Sequence, residues 1–164
     1  MVAVSAGGAG ATGKDGLAIS GSVSVNVVNR TVRANIESAT LTLSGALIQT
    51  ASNAVTLTAV GGAFSLAGKT GVGAAIAYND ITSIIEAKIL SSTLNVAGDV
   101  SIKADNQSRI IAITVSLGAS KSTAAAGTIS INILDNTVEA LIDGTTETVS
   151  SGAVSVVAED NASI

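Results

Sequence analysis

Asparagine is the polar residue that recurs most regularly in this chain. Asn26, Asn79 and Asn132 stand 53 residues apart. A column of three amides could bind a sugar or a cation through its carbonyl oxygens and N–H groups. The same groups can bond one another along a stack of strands, and the repetition favours that structural role. Glu86 and Glu139 also share a column, but the first copy has Arg33 there. Opposite charges in one column imply cross-rung pairing on a wet face. Glycoside cleavage needs two carboxylates fixed around one sugar, and here the acids are dispersed over the repeats. Asp80, Asp99, Asp105, Asp135, Asp143 and Asp160 fall singly, mainly at expected turns, whereas calcium is held by clustered oxygens. Gly68-Lys69-Thr70 mimics the end of a phosphate-binding loop, yet Ala63 stands where the first Gly should be and no helix is expected after it. That segment and Gly7-Gly-Ala-Gly10 read as turns. The Thr40/Thr42 and Thr56/Thr58 pairs suggest a flat threonine ladder, which Asn95, Arg109 and Ile111 interrupt in the next copy. No catalytic, cofactor-binding or metal-binding set is expected.

The composition agrees. The 164 residues include no His, Cys, Pro or Trp, and the net charge is −4. Thiolate and imidazole metal sites are thereby excluded. No basic run exceeds one residue, so a nucleic-acid partner is not expected. No apolar run reaches the length of a membrane helix, no signal peptide is recognisable, and membrane insertion is not expected. Phe64 and Tyr78 are the only aromatics. Cores filled by Ala, Val, Ile, Ser and Gly are thin.

The elements that must position these residues repeat as a block. Gly127–Ile142 is read again at Ala74–Ile89 and at Gly21–Ile36. Three columns are identical in every copy: Asn26, Asn79 and Asn132; Ala34, Ala87 and Ala140; Ile36, Ile89 and Ile142. Ala6, Ala59 and Ala112 fall in the same register, which places Val2 and Val4 opposite Val55 and Leu57. One extra residue near Ser150–Gly152 shifts the last stretch. The copies run over about 1–53, 54–106 and 107–164, one repeat array. Both ends read as mid-repeat, which suggests a module of a longer array.

Apolar residues alternate with Ser, Thr, Asn and Lys, as in Val23-x-Val25-x-Val27 and Ile129-x-Ile131-x-Ile133. This period of two predicts strands with one buried face. Only Ser122-Thr-Ala-Ala-Ala126 has a helix-forming composition. Val25, Ile36, Leu57, Ile89, Ile102, Ile131 and Ile142 are expected inside. Arg33, Glu86, Lys88, Lys103 and Glu139 are expected outside. Breaks in parity predict corners at 28–31, 81–84 and 134–137, with others at Ser44-Gly45, Ala97-Gly-Asp99 and Ser151-Gly152. Each copy then holds about six short strands. The expected fold is all-β: a right-handed parallel β-solenoid of three 53-residue repeats, about two coils each at roughly 25 residues per coil. Asn26, Asn53, Asn79, Asn106 and Asn132, alternately 27 and 26 apart, support that coil length. The rival is an antiparallel array of hairpins turning at Asn29-Arg30 and Asp135-Asn136, but Thr82-Ser83 is a poor turn pair in the middle copy.

The copies 127–142 and 98–106 resemble the repeats of giant bacterial filamentous adhesins of the leukotoxin family, and more broadly haemagglutinin-like β-helices. The resemblance implies an extracellular, surface-attached, non-catalytic shaft and supplies no catalytic residue. The expected partners are neighbouring repeats, or identical chains end to end. A glycan or host protein on one flat face is the alternative.

Overall fold

The computed structural model describes residues 1–149 and 151–164; among them the chain is all strand and turn, without helix. Each repeat contributes four strands. The first rung holds β1 (Val2–Ala11), β2 (Leu17–Glu37), β3 (Thr40–Leu43) and β4 (Leu47–Asn53). The second holds β5 (Thr56–Ala67), β6 (Thr70–Leu90), β7 (Thr93–Val96) and β8 (Val100–Asn106). The third holds β9 (Arg109–Ser120), β10 (Thr123–Asp143), β11 (Thr146–Val149) and β12 (Val154–Asp160). They form four three-stranded sheets, β1-β5-β9, β2-β6-β10, β3-β7-β11 and β4-β8-β12. Every ladder is parallel. The protein is a β-solenoid, and the antiparallel alternative does not occur among the described residues.

One repeat makes one coil, not two. Asn79 lies beside Asn26 on one side and Asn132 on the other, so a strand's neighbour is found 53 residues along. The expected corners at 28–31, 81–84 and 134–137 lie inside β2, β6 and β10, which run unbroken for 21 residues each. Four strands, two of them long, therefore replace the six short ones expected.

The long strands divide the cross-section into two parts. In the second rung, β5 runs outward and β6 returns over it, giving a two-layered flange that ends in the turn at 68–69. The second half of β6 then encloses a separate body with β7 and β8. Its dry core contains Ile85, Ala87, Ile89, Leu94, Val96, Val100, Ile102 and Ala104. Ile36 and Ile142 pack on this core from the end rungs and are only partly buried, because no further rung covers them. Where flange meets body, Val55, Leu57, Ile81 and Ile110 form a second small cluster.

Inside the flange the alternation is inverted. The inner row of β6 is Gly71, Gly73, Ala75, Ala77 and Asn79, while Val72, Ile76 and Tyr78 point outward. In β2 the inner row is Ala18, Ser20, Ser22, Ser24 and Asn26. Val25 and Ile131, expected inside, are therefore 64% and 45% exposed. Close approach of the two layers is the reason. A Cβ on Gly118 would lie 2.5 Å from the Ala125 carbonyl oxygen across the flange. Only the smallest side chains fit between backbones that close, far nearer than the roughly 10 Å of ordinary packed sheets. The parity change behind the corner expected at 81–84 is real, and it falls between Tyr78 and Ile81. It marks the point where the apolar row passes from the outer face of the flange to the inner face of the body.

Two register expectations also change. Ala59 pairs with Ala112, but in the first rung it pairs with Ala3, and Ala6 meets Gly62. The connection from β1 to β2 spans residues 12–16, against 68–69 in the next rung, and the longer loop moves β1 along. Val2 accordingly sits beside Thr58, and Val2 and Val4 point outward. The extra residue near Ser150–Gly152 does shift the last sheet, where Val154 meets Val100; Ser150 itself lies outside the described residues. Gly68-Lys69 is a turn, as are Ser44-Gly45 and the segments at 97–99 and 151–153, but Gly7–Gly10 lies within β1 and Ser122–Ala126 leads into β10.

Candidate functional site

The polar residues singled out by their repetition come together at the root of the flange. Asn26 Nδ2 donates to Asn79 Oδ1 at 2.8 Å, and Asn79 Nδ2 donates to Asn132 Oδ1 at 2.8 Å. Asn79 is fully buried, two residues before Ile81 on the inner row. A second ladder stands at the corner leading to β5. There Asn53 Nδ2 donates to Asn106 Oδ1 at 2.8 Å, and Asn106 Nδ2 to Asp160 Oδ1 at 2.8 Å. Ser83 and Ser108 complete this polar corner. The spacing of 27 and 26 thus reflects two separate ladders rather than one coil length. With their amides satisfied by one another, the central members are closed to a ligand.

The charged column lies on the outer face of the body. Arg33 pairs with Glu86, and Lys88 Nζ bridges Glu86 Oε1 at 2.9 Å and Glu139 Oε2 at 2.7 Å. Hydrogen bonds from Lys88 and Arg33 hold the Glu86 carboxyl below its ordinary range. Bonds to Glu139 and Glu86 raise the Lys88 ammonium above its own. Lys103 bonds Glu159 at 2.8 Å, which raises its ammonium as well. Of the five residues expected outside, Arg33 is exposed; Glu86, Lys88, Lys103 and Glu139 are partly covered because they lie against one another across rungs. Alternating charges of this kind neutralise that surface.

Of the flange tip, only Gly68-Lys69-Thr70 stands out in the sequence, and then as a turn. A cleft of about 600 Å³ opens there, lined by Thr12, Gly13, Lys14, Asp15, Lys69, Lys121 and Ser122 among others. Lys69 Nζ stands 3.3 Å from Asp15 Oδ1. Three lysines against one aspartate make the tip basic in a chain that is acidic as a whole. A signal was present in the sequence, a lysine between the two long strands of each copy (Lys14, Lys69 and Lys121), but the different loop lengths take Lys14 out of the 53-residue register.

Among the described residues, no group of three or more His, Cys, Asp or Glu side chains is gathered to hold a metal, and no helix is long and apolar enough to cross a membrane. No protein-family model matches the chain, and neither a curated protein nor a solved structure matches it.

Proposed function

We propose that this chain is a structural shaft segment of a secreted or surface-attached bacterial adhesin or filament, and that it is not an enzyme. The observation that carries this reading is the parallel stacking of the rungs, strand on equivalent strand in all four sheets. Each rung covers the backbone edge of the one before it, so length is added without enlarging the core. A rung of 53 residues advances the axis by only about 4.8 Å, one strand spacing. Such a wide rung makes length slowly but resists bending, which suits a spacer. The likeness of the repeats to filamentous adhesins supports an extracellular place for it. Identical chains stacking end to end fit the same geometry, since the first and last rungs each present an unpaired strand edge.

Arrays of increasing numbers of the 54–106 repeat, imaged by electron microscopy, test the reading. Rods that lengthen by about 4.8 Å per copy at constant width are expected. Particles that widen with copy number would remove it. The basic tip cleft favours a second reading, a face that binds an acidic glycan. Saturable binding on a glycan array, lost on replacing Lys14, Lys69 and Lys121 by Ser, would establish that reading instead.

A further inference from the structure

The outer face of the β2-β6-β10 sheet is apolar from the flange tip to its root. Ile19, Val23, Val25, Ile76, Ile129 and Ile131 stand on it, each between 40% and 65% exposed. The outward positions from Leu17 to Val27, Thr70 to Tyr78 and Thr123 to Ile133 include no charged residue. Monomeric proteins rarely expose contiguous apolar patches of more than a few hundred Å². Charge returns at the two borders of this face and with opposite sign. The tip has Lys14, Lys69 and Lys121 against the single Asp15, and the root has Asp80 and Asp135 on the same outward parity.

The geometry points to a second copy of this chain as the occupant of this face. Two flanges pack sheet to sheet with their tips in opposite directions, so that the lysine tip of each lies over the aspartate root of the other. The contact is isologous and closes as a dimer. Ten residues of strand span about 33 Å and three rungs about 14 Å, so the face offers roughly 470 Å² of flat area per copy. A standard stable interface takes about 800 Å² from each partner. Three rungs therefore give a weak, concentration-dependent dimer, and each further rung adds about 160 Å². Parallel in-register rungs present repeating flat rows of Val and Ile, a surface that interdigitates with a copy of itself. A lipid surface is the poorer match. Borders of opposite charge complement a reversed copy of this face, and a uniform lipid surface offers them no such match.

Sedimentation of the whole chain from micromolar to millimolar concentration tests the proposal. The wild type is expected to pass from monomer to dimer. Val25→Lys/Ile131→Lys should weaken dimerisation by about 100-fold or more, since each charge enters the interface twice. Both side chains are exposed in the monomer, so circular dichroism should not change; Ile19→Lys/Ile129→Lys serves as a second pair. Val115→Lys, on the opposite face of the flange, should leave the dimer intact. Asp80→Lys/Asp135→Lys should weaken it, and adding Lys69→Asp/Lys121→Asp should restore it. A monomer at every concentration overturns the proposal. So does association that ignores the Val25/Ile131 pair, which would instead be end-to-end contact. Failure of the charge exchange to restore dimerisation overturns the opposed-tip arrangement. Binding to phosphatidylcholine vesicles without self-association would assign the face to lipid.

Discussion

Replacing Asn79 by Ala should destabilise the protein by about 3–5 kcal/mol. Asn79 is the middle member of its ladder, accepting from Asn26 and donating to Asn132, both at 2.8 Å. Each amide bond contributes about 1 kcal/mol net, so two lost bonds account for about 2 kcal/mol. The remainder falls on Asn26, which is only 3% exposed. One of its N–H groups keeps Ser24 Oγ at 3.1 Å, but the other is left buried and unpaired, at a cost of about 1–3 kcal/mol. Asn132→Ala is the control. It removes one ladder bond at a residue already partly open to solvent, where water can accept the freed Asn79 N–H, and should cost about 1 kcal/mol. Urea unfolding followed by circular dichroism measures both, provided that the slopes with denaturant agree among the variants. A cycle combining Asn26→Ala with Asn79→Ala should return a coupling of about 1 kcal/mol. Equal losses at Asn79 and Asn132, or a loss at Asn79 below about 0.5 kcal/mol, would refute the ladder as a stabilising element.

Ile89→Asp, in the fully buried core of the body, should cost about 4 kcal/mol or more by placing an unpaired charge there. Leu117→Ser, on the outer flange face, should stay within about 0.5 kcal/mol in the same unfolding assay. Ser38 and Ser91 hold positive φ of 51° and 49°, in the column where the third rung has Gly144 at 56°. Ser91→Gly should therefore raise thermal stability by up to about 1 kcal/mol, and Gly144→Val should lower it. Glu86 has a depressed carboxyl pKa, so its contribution is complete above the unfolded value near 4.5 and is lost as pH falls through the lower folded value. Lys88 has a raised pKa, so its contribution holds below the unfolded value near 10.5 and is lost as pH rises through the folded one. Melting temperature against pH should be flat between these limits, and Glu86→Gln should reduce the loss on the acid side.

Much of the body was legible in the sequence. Ile89 and Ile102 are fully buried, as their alternation predicts, because the body packs β-branched and aliphatic residues around a dry centre; Leu57 is buried likewise where the flange joins it. The pairing of Arg33 with Glu86 followed from a column of opposite sign, whereas the bridge from Lys88 to Glu139 crosses between columns and was not read from the pattern. The turns at Ser44-Gly45 and 97–99 were marked by glycine.

The sequence by itself determined that the chain is strand throughout, that it repeats every 53 residues, and that identical residues such as Asn26, Asn79 and Asn132 are equivalent. Tertiary structure alone decided which face of a strand is the inside. Alternation states that two faces differ, and the burial of either depends on what stacks behind it. In the flange the layer behind β6 is β5, so close that glycine, alanine and serine fit inward and Ile76 and Tyr78 turn outward. Coil length was likewise beyond local pattern, because it is a distance between residues that pair across rungs. A parity change inside a 21-residue strand has the same local signature as a corner, and only the pairing of Val28 with Ile81 and of Ile81 with Leu134 tells them apart.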